Sequence, residues 1–499
     1  MHDTEIFARL MLVIAVAGLV AVLSNRITDR LRVPAPAIVL VVTAILVKVI
    51  PSLHAPELRT VQRLVTVALL AILFDGGLHI GWRRLRTAAG PISLVGVVGT
   101  FLTAAAAAVF AHLTLGISWY LALLVGTAVA PTDPAVVFSV LGKRQISGRS
   151  GVILEGESGA NDPVGIALML SLLAAGELST GALGATAIEF VLQMAVGALV
   201  GVVGGWLLLR FMRLPLPAEG LYPLRTLASA LVLYGAATLL HGSGFLAVFA
   251  AGIVLGDAAA PYKREVERFH SALASLGEIV AFVALGLTVS VDTLLHVDVW
   301  VPGLLLGAVL AFVIRPLLVG LCLIPARLQR NENAFVLFSG LKGAVPILLG
   351  AFLLDEAVPG AQRLYGIVVV VVVFSVVVQG SLVPTVAGLL KVPMRTVAPE
   401  PWSLGVRLRN EPNGVHRLIV AEGAPADGKT LGDLVQLPGD VWVSFLVRDQ
   451  QLVAVNGDTR LEAGDDLLVL ADPSLDDKLR QAFQERATDS ADGAERDHD

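Results

Sequence analysis

The chain has 499 residues, of which 56% are hydrophobic and only 15% charged, with a net charge of −5 and a mean hydropathy of +0.79. Soluble globular proteins run at about 25% charged, so the composition excludes that class and points to a chain that crosses a bilayer repeatedly. The charge is evenly spread, which leaves no basic surface for a nucleic-acid partner. The single cysteine, Cys322, excludes an internal disulfide, argues against a cysteine metal cluster and reads as a small buried apolar residue.

The opening "MHDTEIFARL" lacks the basic segment and small-residue cleavage site of a signal peptide, so the first apolar run reads as a retained span. Stretches near the ~20 residues needed to cross a bilayer recur at 6–24, 33–51, 61–79, 88–113, 119–141, 152–175, 182–211, 222–241, 243–257, 269–288, 299–328, 334–354 and 362–389. Basic residues gather in alternate loops: Arg26, Arg30 and Arg32 after span one, Arg83, Arg84 and Arg86 after three, Lys143, Arg144 and Arg149 after five. The alternation continues with Arg213 and Arg225, Lys263 and Arg264, Arg327 and Arg330, and Lys391 and Arg395. The positive-inside rule then places the N-terminus outside and the C-terminus inside. The expected fold is an all-α polytopic membrane protein of about 13 transmembrane helices, in a domain covering 1–392.

Span five carries "GTAVAPTDPAVV", where Pro131 and Pro134 bracket Thr132 and Asp133. Prolines three apart remove backbone donors and disfavour helix in the residues before them, so the span is expected to unwind there. Unpaired backbone is tolerated at membrane depth only inside protein or beside water. Span six carries "EGESGANDPVG", with Glu155, Glu157 and Asp162. Asp162 is roughly ten residues into its span, about 15 Å at 1.5 Å per residue, near the midplane of a ~30 Å core. Ser158, four residues earlier, shares its helix face. A charge at that depth costs about 2.5–3.5 kcal/mol on insertion scales and is by default functional.

Span twelve has a comparable break, "SGLKGAVPILLG", with Gly340, Gly343 and Pro346 around Lys342. It runs opposite to span five, and both breaks lie at similar depth. Two broken helices of opposite direction, one per half, are the inverted-repeat pattern of a secondary transporter, with the site where they cross.

"PTDP", "ESGANDP" and "GLKGAVPI", in this order, resemble the motifs of monovalent cation/proton antiporters, in the electroneutral branch that holds bacterial NhaP-type and animal sodium/proton exchangers. The resemblance covers about residues 6–390 and extends to "FDGGL" with Asp75 and to "RP" at Arg315. It implies that Asp162 binds cation and proton alternately, with Glu157, Ser158 and Thr132 as nearby oxygen ligands. Asn161 would tie the broken helix to the carrier acid. Asp133 would offset the half-helix N-termini, whose unpaired amides carry partial positive charge. It also implies a homodimer in which a core bundle moves against a static one. Two positions depart from the pattern: Lys342 stands where relatives commonly have Arg, and Arg and Lys are not equivalent at a bidentate site; Glu278, in "LGEIVAFVALGL", stands where an amide or apolar residue is expected. Two roles stay open for Glu278, pairing with Arg315 or titrating. Lys342 is expected to offset Asp133 or Asp75.

The chemistry suits exchange. A buried carboxylate poised near neutrality holds either a proton or an alkali ion, and competition for one charge gives one-for-one exchange. Alkali ions take hard oxygen donors. The acids Asp75, Asp133, Glu157, Asp162 and Glu278 outnumber Arg315 and Lys342, which favours cations. No cofactor is needed beyond the transported K⁺ or Na⁺ and H⁺. An intramembrane protease built on Ser158 in "GESG" is the alternative from another class. It needs a base within reach, and His79, His112, His241 and His270 lie at span ends. A cation channel would not need a titratable carrier acid at the crossing.

After the linker "MRTVAPEPW" (393–403 in outline), short apolar runs alternate with charge: "RLIVAEG", "DVWVSFLVRD", "QLVAVNGDTRL" and "DDLLVLAD" read as strands, with turns at "NGDT" and "EAGDD", and "DKLRQAF" as a closing helix. The pattern "GKTLGDL…GDTRLEAGDDLLVLA" resembles the C-terminal subdomain of regulator-of-potassium-conductance proteins, TrkA-C. It covers about 404–474 and implies a small α+β cytosolic domain that pairs and binds a small regulatory ligand. No dinucleotide fingerprint precedes it. Residues 475–499 read as a short helix and a disordered acidic tail. K⁺ and Na⁺ use the same ligands; the TrkA-C resemblance tilts the expectation toward K⁺.

Overall fold

A computed structural model describes residues 35–49, 57–141, 144–146, 148–177, 180–258, 260–396, 414–434, 441–448, 451–472 and 475–484, together with Ala15 and Leu19. The first expected span, 6–24, lies outside the described residues apart from those two positions. The chain divides into two compact units, Met1–Ala398 and Pro399–Asp499.

In the first unit the apolar runs form helices. Among the described residues, seven helices are long and apolar enough to cross a membrane, and three shorter apolar ones are Ile38–Val49, Gly244–Gly256 and Ala344–Asp355. Expected spans three and four run on as one apolar stretch, Leu58–Leu115. The backbone leaves helical geometry at Gly81, at φ 61°, and at Ala88. Glycine suits Gly81 because an L side chain is strained there, and a Cβ would meet the Asp257 carboxylate at 2.7 Å. Asp257 accepts from the freed amide of Arg83, so the interruption keeps its backbone paired.

Span six, Arg149–Ala175, is the central element: 72% of its most apolar window is buried, against 22% for Gly184–Met212. A helix buried on every side must be approached closely, which explains its glycines. A Cβ on Gly159 would lie 2.1 Å from the Phe249 ring, and one on Gly165 would lie 2.5 Å from Pro131. Thr180–Met212 instead exposes Leu192, Leu199 and Trp206, as a helix facing lipid or a second protein does. Three long helices widen locally to π geometry, at Leu94–Gly99, Leu310–Val319 and Phe374–Gln379.

Spans five and twelve are broken as expected. Trp119–Val129 and Pro134–Leu141 are separated by residues 130–133; Arg330–Phe338 and Ala344–Asp355 are separated by residues 339–343. The expected linker opens differently. Strand β2, Met394–Thr396, pairs antiparallel with β1, Arg144–Ile146, in register Arg144↔Thr396 and Ile146↔Met394.

The second unit is a four-stranded antiparallel sheet, β3 (Val415–Ile419), β4 (Trp442–Arg448), β5 (Gln451–Val453) and β6 (Asp466–Leu470), ordered β3-β6-β4-β5. The alternation of its strands puts Leu418, Leu446, Leu467 and Val469 on one face, where Leu479 and Phe483 of the closing helix Asp476–Phe483 cover them. Arg448 grips Asp465, which is 1% exposed, through Nε and Nη2, both at 2.8 Å. The turn at 456–459 is held by the Asn456 side chain, which accepts from the Asp458 amide at 3.1 Å. Linker residues 397–403 and tail residues 485–499 lie outside the described residues.

Candidate cation site at the crossing of two broken helices

The two breaks touch. The Asp133 amide donates to the Leu341 carbonyl at 2.7 Å, and Lys342 Nζ donates to the carbonyls of Ala130 (2.9 Å) and Pro131 (3.1 Å). A Cβ on Gly343 would sit 1.9 Å from Asp133 Oδ2, and one on Gly340 would sit 2.0 Å from Arg315 Nε. The two glycines of "GLKG" therefore make room for two charged side chains.

Four half-helix ends meet here, and each carries unpaired backbone groups that need partners. Their partners can be named one by one. Asp133 accepts from the Ala135 amide at 2.8 Å, at the start of Pro134–Leu141, and its other oxygen abuts Gly343, the N-cap of Ala344–Asp355. One carboxylate thus faces two positive helix ends. Lys342 takes the carbonyls that follow Trp119–Val129. At the end of Arg330–Phe338, Arg315 Nε donates to the Leu337 carbonyl at 2.8 Å and Gln379 Nε2 to that of Phe338 at 2.5 Å.

Helix Arg149–Ala175 presents its polar face to this crossing. Both oxygens of Glu157 are held by Arg315, at 2.7 and 2.9 Å, in a pair whose side chains are 3% and 7% exposed. The Thr132 hydroxyl donates to Glu157 at 3.1 Å and accepts from Asn161 Nδ2 at 2.8 Å, so Asn161 and Glu157 link the first break to helix Arg149–Ala175. Asn161 Oδ1 is a buried acceptor with no hydrogen bond. Asp162 is 7% exposed and stands one helical turn from Ser158, which is 8% exposed. No cation lies within ion-pair distance of it among the described residues.

Three sequence expectations change in detail. Arg315 is spent on Glu157, so it does not pair with Glu278, whose Oε1 is buried without a hydrogen bond. Lys342 sits on carbonyls rather than on an acid, because the helix end before it offers two oxygens that nothing else reaches. Asp75 is not brought to the crossing. It accepts from Ser271 at 3.0 Å and lies 3.3 Å from His79 Nδ1, between Leu58–Ser93 and Lys263–Thr288. Among the described residues no histidine hydrogen-bonds Ser158; the most buried one, His270, is hydrogen-bonded to Thr226 at 2.8 Å.

Sequence reasoning missed Ser375 and Gln379. The Ser375 hydroxyl accepts from the Lys342 amide at 3.0 Å and donates to Gln379 Oε1 at 3.1 Å. A signal was present: two polar residues four apart in the valine-rich run "FSVVVQG".

Comparison with known proteins agrees with this geometry. Residues 12–388 match the transmembrane sodium/hydrogen exchanger family, and residues 415–484 match the TrkA-C domain. The chain is 32% identical to the K(+)/H(+) antiporter NhaP2 of Shewanella sp. (strain ANA-3), over 97% of this chain and 84% of that protein. It is 33% identical to the K(+)/H(+) antiporter NhaP of Alkalimonas amylolytica, over 86% and 75% of the two chains. The solved structure of the sodium proton antiporter MjNhaP1 from Methanocaldococcus jannaschii superposes with a TM-score of 0.65 at 21% identity, covering 78% of this chain and 98% of that one. That likeness concerns the fold alone. The chain therefore belongs to the sodium/hydrogen exchanger family and carries a C-terminal TrkA-C domain.

Proposed function

We propose that this protein exchanges K⁺ for H⁺ across the cytoplasmic (plasma) membrane, with Asp162 binding the two ions in turn. One observation carries the reading, the division of labour among the acids of spans five and six at the crossing. Glu157 is neutralised by Arg315 and Asp133 is committed to two helix N-termini, which leaves Asp162 as the buried acid of the two spans with no ion pair and no helix end to hold among the described residues. A carboxylate in a dry site must be neutralised by something, and a proton and an alkali ion are the two candidates that diffuse. Oxygen ligands for the ion are Asp162 itself, Ser158, Thr132 and the free Oδ1 of Asn161. Glu157 orients Thr132 rather than ligating while Arg315 holds both its oxygens.

Because one carboxylate takes either one proton or one monovalent ion, exchange is electroneutral. Potassium is favoured over sodium by the K⁺/H⁺ antiporters among the relatives and by the TrkA-C domain. In the same reading the protein is a homodimer with its N-terminus outside. The C-terminal domain lies in the cytosol, where a small ligand sets the exchange rate. A ligand there acts through its differential affinity for two states of the transporter.

The test is purified protein in proteoliposomes, with cation-driven dissipation of a pH gradient measured for K⁺, Na⁺, Li⁺ and Rb⁺ while the membrane potential is clamped. The expected result is exchange with K⁺ preferred and a steady state indifferent to the imposed potential. Exchange with no alkali ion, or a steady state that follows the potential, contradicts it.

A further inference from the structure

Ser375 and Gln379 form a buried chain of three hydrogen bonds around the second break. Lys342 N–H donates to Ser375 Oγ, Ser375 O–H donates to Gln379 Oε1, and Gln379 Nε2 donates to the Phe338 carbonyl. The two side chains are 3% and 2% exposed. They stand in the π-widened stretch Phe374–Gln379, a geometry common at functional sites. They grip both flanks of the break, the last carbonyl of Arg330–Phe338 and the amide of the residue whose side chain crosses to the other break. Lys342 Nζ in turn fixes the carbonyls of Ala130 and Pro131, and the next residue is Thr132. Resting on the functional reading above, we propose that Ser375 and Gln379 are positioning residues that hold Thr132 at the cation through Lys342.

The test measures the apparent KM for K⁺ and the maximal rate for Ser375→Ala, Gln379→Met, the double variant and Ser375→Thr, each monodisperse in detergent before reconstitution. The expected result is a KM raised about tenfold in each single variant, the equivalent of about 1.4 kcal/mol, with the maximal rate much less affected. The double variant should be little worse than either single one, because both act through one clamp. Ser375→Thr, which keeps the hydroxyl, should restore the KM. If Ser375→Ala fails to fold, Gln379→Met alone decides. An unchanged KM in a folded Gln379→Met, or single effects that multiply in the double variant, overturns the proposal. Loss of all exchange in every variant contradicts only the functional reading if the wild type is also inactive.

An independent observation concerns the two-stranded ribbon. Strand β1 lies between the broken span five and the carrier helix, and a Cβ on Gly151 of that helix would meet the Ile146 carbonyl at 2.8 Å. Strand β2 is the last described element before the C-terminal domain. We infer that this ribbon is the link by which the domain acts on the carrier helix. Arg395→Pro, at the centre of the three-residue pairing with β1, disfavours the ribbon without touching the site. In the full-length protein it should reproduce the rate-against-pH profile of a protein ending at Val397, and in that truncated protein it should change nothing. A full-length Arg395→Pro protein that keeps the intact profile overturns the link. A truncation without effect overturns both the link and the regulatory reading.

Discussion

Arg315 offers the sharpest energetic test of the site. Its guanidinium satisfies a carboxylate that is 2% exposed and the helix-end carbonyls of Leu337 and Val336. Arg315→Met strands the Glu157 charge, at about 3–5 kcal/mol, and orphans two carbonyls, at about 1–3 kcal/mol each. The sum is comparable with the whole stability of a typical domain, about 5–15 kcal/mol, so the single variant should be recovered poorly folded. Adding Glu157→Gln removes the stranded charge and keeps an acceptor for Thr132, which should return about 3 kcal/mol or more. Thermal melting in detergent, followed by fluorescence-detected size exclusion, should then rank wild type first, the double variant next and Arg315→Met last. A double variant that melts at or below the single one refutes the claim that the pair is a buried, uncompensated charge once broken.

Gly343→Ala should prevent assembly of the crossing, since its Cβ would lie 1.9 Å from Asp133 Oδ2; recovery of wild-type melting and exchange would show that the break yields more easily than its contacts imply. Lys342→Arg should retain more stability than Lys342→Met, which orphans the Ala130 and Pro131 carbonyls at about 1–3 kcal/mol each; equal melting of the two variants would count against that role. Truncation after Val397 should leave exchange and cation preference intact while shifting the pH profile or maximal rate, and loss of all exchange in a correctly inserted truncated protein would make the domain part of the transport machinery.

The breaks, the buried polar helix Arg149–Ala175 and the C-terminal sheet were legible in the sequence because each rests on local chemistry. Pro131 and Pro134, three apart, disfavour helix in the residues before them, an Asn-Asp pair in an apolar run has few structural excuses, and alternating strands with "NGDT" turns fold by local rules. Partner choice was not legible. Arg315 had Glu157 and Glu278 within plausible reach by depth alone, and only the facing of Leu310–Val319 towards Arg149–Ala175 decides between them. Lys342 could be assigned to an acid because sequence displays side-chain charges and hides the partial charges of helix ends. Ser375 and Gln379 left a signal in the valine-rich run but not a role, because the backbone groups that they hold belong to a different span. The interruption at Gly81 is likewise set by Asp257, far away in the chain.

The central claim is that Asp162 is the group that carries cation and proton in turn. It is tested most directly by alkali-cation-driven proton movement in proteoliposomes containing Asp162→Asn, compared with wild type at matched protein density. The variant keeps the side chain's size, so it should insert and melt like wild type yet show no exchange with any alkali ion at any pH. Wild-type exchange in that variant would contradict the account.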